Sequence, residues 1–160
     1  MDKRVMSELE YIVQAYGYTR IDWERIRRCT REEKETLIPW VKELIAWEKK
    51  YRLEGLLILE EWIQDLESPL EKLMVDRCCD CGNPPEIRSE IFYNFLCSSE
   101  LDDVSYLKYA LLLQFLLELW LRGYVTDTTM DKLLTSYLGR EFLRQFSILE
   151  RPGQEEAAWV

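Results

Sequence analysis

Histidine is absent from this sequence of 160 residues, and its absence excludes more chemistry than any other feature of the composition. Without an imidazole, the chain lacks the usual general base, the Ser-His and Cys-His nucleophile pairs and every histidine-based metal site. A phosphate-binding glycine loop and a Gly-x-Ser-x-Gly nucleophile elbow are also missing. We therefore expect a protein that is not an enzyme and that needs no cofactor.

Basic side chains are outnumbered, with 21 Lys and Arg against 30 Asp and Glu, which gives a formal net charge of −9 and a pI near 4.7. A surface of this sign repels phosphate backbones and anionic lipid headgroups. The composition therefore predicts a protein partner with a basic patch, and no nucleic-acid partner. Homo-oligomerisation stays open, because periodicity alone does not reveal which aromatic side chains are exposed.

A long uninterrupted apolar run is also lacking. The most apolar stretch, residues 106–121, contains Lys108, Gln114 and Glu118 and is shorter than the roughly 20 residues that a bilayer needs. The N-terminal residues lack the apolar core of a signal peptide. We expect this stretch to be a buried helix, with no membrane span, in a soluble cytoplasmic protein.

Glycine and proline are scarce, six and five residues, whereas 48% of the residues are hydrophobic, which favours helices around a substantial core. We predict one all-α domain over residues 1–150 and a flexible tail over 151–160. The prediction is six or seven helices in an irregular orthogonal bundle, one of them long, about 31–67. Capping residues and glycines place the other helices at about 3–16, 69–79, 84–97, 103–122, 126–139 and 140–148, and Asp22 can cap a further short helical segment that ends at Arg28.

A string of uncommon residues at fixed distances runs from Tyr51 to Ile91. It begins with Arg-x-x-Gly-Leu-Leu inside the predicted long helix and continues with Glu-Ser-Pro and Asn-Pro-x-Glu-Ile-Arg helix starts. This string resembles the cytoplasmic segment of MotA, the flagellar stator subunit of the MotA/TolQ/ExbB proton-channel family. The resemblance extends over about residues 44–91, and its motif residues are Gly55, Pro69, Pro84, Glu86 and Arg88. This sequence does not contain the family's membrane helices, and we therefore expect that it is not a stator by itself.

The resemblance implies a contact with the flagellar rotor. Arg52 and Glu60 match family residues that face the rotor protein FliG, and in one continuous helix they would lie on nearly one face. With the neighbouring Glu54 and Glu61, they are the predicted partner-binding residues, for FliG or for stator subunits. The resemblance also favours close approach of another helix backbone at Gly55. The alternative is an ordinary helix face on which Arg52 pairs with Glu48.

Two other classes of function remain open. Cys78, Cys79 and Cys81 could bind Zn or Cu(I) as thiolates or sense redox state, although their spacing is not the usual two-residue gap. In the family resemblance, Cys78 and Cys79 fall at two apolar core positions, which favours buried, reduced thiols and no metal. The second alternative is a helical scaffold or oligomerisation module with no motor role.

Overall fold

The computed structural model describes residues 21–79 and 85–148, and for residues 85–89 it describes the backbone alone. Within these ranges the chain forms nine α-helices and no strand, which confirms the all-α class. They are α1 (Trp23–Arg28), α2 (Arg31–Glu35), α3 (Ile38–Glu54), α4 (Ile58–Asp65), α5 (Pro69–Cys79), α6 (Pro85–Ser98), α7 (Asp103–Arg122), α8 (Asp127–Leu138) and α9 (Arg140–Gln145). The helix predicted at 3–16 and the predicted tail at 151–160 lie outside the described residues.

Helix α7 is the centre of the core, as its leucine-rich sequence predicts. Twelve of its twenty residues are buried, and it contacts α1, α5, α6 and α8. The Asp102 carboxylate caps it by accepting the Ser105 N–H at 2.9 Å, and Gly123 ends it with φ 75°. Among the described residues, α7 is also the one helix long and apolar enough to cross a membrane, and 67% of its apolar window is buried in the bundle.

The other helix starts follow the capping residues that the sequence contains. Asp22 accepts the N–H groups of the first turn of α1, and Thr30 with Glu33 forms a capping box at α2. Ser68 precedes Pro69 at α5, and Thr126 caps α8. These local bonds confirm the predicted starts of these four helices to within one residue, whereas the last helix, predicted over 140–148, ends at Gln145.

The single long helix predicted over 31–67 is wrong, because the chain forms α2, α3 and α4 in its place. Proline has no N–H and is tolerated in a first helical turn, so Pro39 marks the start of α3 and not a kink. Gly55 ends α3 with φ 82°, a backbone conformation that residues with a Cβ rarely adopt. A stripe of buried apolar residues continues across the break at Gly55, from Val41 and Leu44 in α3 to Leu59 in α4, and this continuity hides the break in the sequence.

The predicted close approach of a second helix backbone at Gly55 is also wrong. A Cβ placed on this glycine would have no heavy atom within 4 Å. The space around Gly55 is open, so its role lies in the backbone turn and not in helix packing.

Candidate functional site

The corner where α3 meets α4 contains the start of the MotA-like string. The Gly55 N–H still donates to the Tyr51 carbonyl at 2.8 Å, and the chain then turns. The N–H groups of Ile58, Leu59 and Glu60 each donate to the carbonyl three residues back, at 3.1–3.2 Å. These short-range bonds form a tight turn that starts α4 without a capping side chain. The string therefore marks a helix corner and not the interior of a helix.

Arg52 crosslinks this corner to the first turn of α8. Its Nη2 donates to Glu48 Oε2 at 2.7 Å and also to the carboxylate of Asp127. The Glu48 side chain is fully buried, whereas that of Arg52 is 35% exposed. The hydrogen bond to Glu48 raises the pKa of the Arg52 guanidinium, and Asp127 adds to the effect. The alternative pairing of Arg52 with Glu48 is thus present, and the arginine is held within the molecule.

A second long-range bond holds the same corner. The Tyr51 hydroxyl donates to the Gly123 carbonyl at 2.9 Å, so the end of α3 lies beside the turn between α7 and α8. Burial raises the pKa of the Tyr51 hydroxyl, and the nearby Cys78 and Cys79 thiols add to the effect. Three segments of the chain thus meet around Tyr51.

The three predicted acidic residues, Glu54, Glu60 and Glu61, are all exposed at this corner. They have no ion-pair partner among the described residues, in contrast to Arg52. The prediction that Arg52 and Glu60 share one face of one helix is wrong, because the turn at Gly55 separates them. The exposed charges at this corner are therefore these three carboxylates and, one turn earlier in α3, the side chains of Lys49 and Lys50.

Exposed apolar side chains occupy the same corner, and the sequence-based prediction missed them. The exposed fractions of Leu53, Leu57 and Leu56 are 87%, 75% and 46%. Leu121 and Tyr124, on either side of the Gly123 carbonyl, are 49% and 55% exposed. The exposure of Leu53, Leu56 and Leu57 could have been predicted from the sequence, because these residues fall between the positions of the buried apolar stripe.

The other motif residues lie along α5 and α6. Pro69 is the first residue of α5, where the Ser68 hydroxyl accepts the Glu71 N–H at 3.3 Å. Glu86 and Arg88 fall in the part of α6 whose side chains are not described, and Pro84 lies outside the described residues. Pro69 thus begins a helix, as the Ser-Pro helix start in the sequence predicts.

Two of the three clustered cysteines, Cys78 and Cys79, lie within the described residues. Cys78 is buried in the last turn of α5, as its match to an apolar family position predicts, and Cys79 is half-buried. Cys81 lies outside the described residues. Within 21–79 and 90–148, no group of three or more Cys, Asp or Glu side chains is arranged to hold a metal ion.

A cleft of about 570 Å³ lies at the other end of α3 and has the same charge character. Its carboxylates include Glu43, Asp65 and Glu67 at the exposed rim and the buried Glu71. The Lys108 ammonium group pairs with Glu71, which leaves the rim carboxylates to set the sign of the surface. The rim of this cleft therefore carries a negative potential.

Comparison with known proteins finds no match to this chain among protein-family models, curated proteins or solved structures.

Proposed function

We propose that this chain is a non-enzymatic interaction protein that uses the α3–α4 corner to contact a basic surface on a protein of the flagellar motor. The rotor protein FliG is the first candidate partner, and stator subunits are the second. The observation that carries the proposal is the cluster of Glu54, Glu60 and Glu61, exposed and without ion-pair partners among the described residues. The resemblance of residues 44–91 to the MotA cytoplasmic segment supports the choice of partner.

Electrostatics suit such a role. An acidic corner on a chain of net charge −9 accelerates encounters with a basic surface and repels acidic proteins. Contacts between exposed charges weaken as salt screens them over about 8–10 Å at physiological ionic strength. In this proposal Arg52 is not a contact residue, because Glu48 and Asp127 already bind it. Arg52 instead holds the shape of the corner.

The test measures binding of the purified chain to the torque-generating domain of FliG at low and high salt, by calorimetry. The variant Glu54→Lys/Glu60→Lys/Glu61→Lys reverses the cluster, and Glu100→Lys reverses an exposed charge in the loop before α7. Each exposed ion pair contributes roughly 0.2–1 kcal/mol, and reversal replaces attraction by repulsion, so we expect the triple variant to bind at least about tenfold more weakly. Glu100→Lys should bind like the parent chain.

Two outcomes contradict the proposal. One is the absence of binding at either salt concentration, and the other is equal affinity of the triple variant and the parent. Circular dichroism of each variant checks that the helices are intact before binding is measured.

A further inference from the structure

The cleft at the start of α3 combines apolar, aromatic and charged side chains in one recess. Its volume of about 570 Å³ lies within the roughly 300–1,000 Å³ that is usual for small-molecule sites. Pro39 and Trp40 of α3 line one side, and the loop between α4 and α5 supplies Leu66 and Ser68. Two separate segments of the chain thus form the cleft, and helix packing holds them in place.

An alkylammonium group of the chain itself already occupies the most buried part of this lining. The Lys108 ammonium group pairs with Glu71, whose side chain is 4% exposed. The Lys108 Nζ also lies 5.4 Å from the centroid of the Trp40 ring, within the roughly 6 Å at which a cation is attracted to an aromatic face. The cleft therefore accommodates an alkylammonium ion between a carboxylate and an aromatic ring.

Three further carboxylates of the lining are not neutralised in this way. Glu43, Asp65 and Glu67 are exposed and have no ion-pair partner among the described residues. They come from α3, from the end of α4 and from the loop after it, so they surround the opening from two sides. The lining thus retains negative charge beyond the pair that Lys108 neutralises.

Nearby lysines do not cancel this charge inside the cleft. Lys42 and Lys72 are exposed and adjoin Glu43 and Glu71 in the sequence, but neither lines the cleft. Successive residues of an α-helix point about 100° apart, which directs these two ammonium groups elsewhere. The ammonium group within the lining is that of Lys108, and it is already paired.

The arrangement of the carboxylates selects the kind of cation. Within 21–79 and 90–148, no group of three or more Cys, Asp or Glu side chains is arranged to hold a metal ion, so these carboxylates do not converge on one point. Separated carboxylates suit a ligand with separated positive charges. The apolar surfaces of Pro39, Trp40 and Leu66 between them suit methylene groups.

We propose that the cleft binds an aliphatic polyammonium group, in which two or more ammonium groups are joined by methylene chains. The ammonium groups donate hydrogen bonds to the carboxylates of Glu43, Asp65 and Glu67, and the methylenes contact Trp40. A free polyamine and the lysine side chains of a partner protein both supply this chemistry. The inference is independent of the motor assignment, because the cleft lies at the opposite end of α3 from the Gly55 corner.

Isothermal titration calorimetry with spermidine tests the proposal on the purified chain. Propylamine, with one ammonium group, and Mg²⁺ are the control ligands. The variant Glu43→Gln/Glu67→Gln removes two charges of the cleft, and Glu100→Gln/Glu141→Gln removes two exposed charges that do not line it. Circular dichroism checks that the helices are intact in both variants.

We expect spermidine to bind the parent chain, and to bind Glu43→Gln/Glu67→Gln roughly five- to tenfold more weakly, because two exposed ion pairs are lost. Glu100→Gln/Glu141→Gln should stay within a factor of about two of the parent. Equal affinity of the cleft variant and the parent would overturn the inference. Binding of propylamine or Mg²⁺ as tight as that of spermidine would overturn it as well, since either result indicates unselective attraction to an acidic surface.

Nuclear magnetic resonance places the ligand within the molecule. The indole N–H signal of Trp40, assigned by its loss in Trp40→Phe, should shift as spermidine is added, and an unmoved signal would refute binding in this cleft.

A Lys-Lys dipeptide amide, which has as many positive charges as spermidine, distinguishes the two sources of the ligand. Tighter binding of the dipeptide that Glu43→Gln/Glu67→Gln weakens would assign the cleft to lysine side chains of a protein. Tighter binding of spermidine would assign it to a free polyamine.

Discussion

Replacement of Arg52 by Gln should destabilise the protein far more than its position at a surface corner implies. The Glu48 carboxylate is fully buried, and Arg52 is the ion-pair partner that the structure gives it. Removal of one partner of a buried pair costs roughly 3–5 kcal/mol, because the other charge stays buried without compensation. Arg52 is 35% exposed, so water screens part of the loss. We therefore expect about 3 kcal/mol, near the lower end of that range.

A change at Asp127, the second carboxylate that binds Arg52, distinguishes the loss of a buried charge's partner from the loss of an exposed ion pair. The Asp127 side chain is 42% exposed, and Asp127→Asn should cost roughly 0.2–1 kcal/mol. Adding Glu48→Gln to Arg52→Gln removes the buried carboxylate that has lost its partner. The double variant should therefore recover at least half of the lost unfolding free energy. For a domain of this length, a loss of 3 kcal/mol lowers Tm by about 6–12 °C.

Chemical unfolding with urea, followed by circular dichroism at 222 nm and pH 7, measures all four proteins on one scale. The reasoning is refuted if Arg52→Gln costs no more than Asp127→Asn, or if Glu48→Gln deepens the loss. The result also decides how motor binding is tested. Charge reversal at Arg52 would alter the corner itself, which is why the glutamates are the residues to change.

Three further predictions concern the backbone, a thiol and acid stability. Gly55→Ala should cost about 1–2 kcal/mol in the same unfolding assay, because φ is 82° there, and an unchanged stability would contradict this role. Burial raises the pKa of Cys29 from 9.0 to about 11, so at pH 8 iodoacetamide should modify it about 100-fold more slowly than an ordinary thiol and after the exposed Cys97, as followed by mass spectrometry. The hydrogen bonds from Ser105 lower the pKa of Asp102, so its contribution is present above its ordinary pKa of 3.8 and is lost as pH falls through the lower folded value. Asp102→Asn keeps a capping oxygen without titrating, so its unfolding free energy should fall less between pH 5 and 2 than that of the parent, and an equal fall would contradict the assignment.

Helix starts could be predicted from the sequence because a cap is a local interaction. Asp22, Thr30, Ser68, Asp102 and Thr126 each bond to an N–H group two or three residues ahead, whatever the rest of the chain does. The buried position of α7 was equally predictable, because a run so rich in leucine has to be covered. Continuity of helix across Gly55 could not be judged in this way, since the apolar stripe has the same period on both sides of the break.

The all-α class, the helix caps, the central helix and the acidic residues of the candidate site all follow from local sequence patterns. Which of the charged side chains at that site stay exposed and unpaired depends on tertiary packing. Arg52 is bound by Asp127, 75 residues away, and such a pairing depends on how α3 and α8 pack and leaves no periodic signal. The separation of Arg52 from Glu60 likewise depends on the backbone of the folded chain, because Gly55, with φ 82°, ends α3 while the apolar stripe keeps its period.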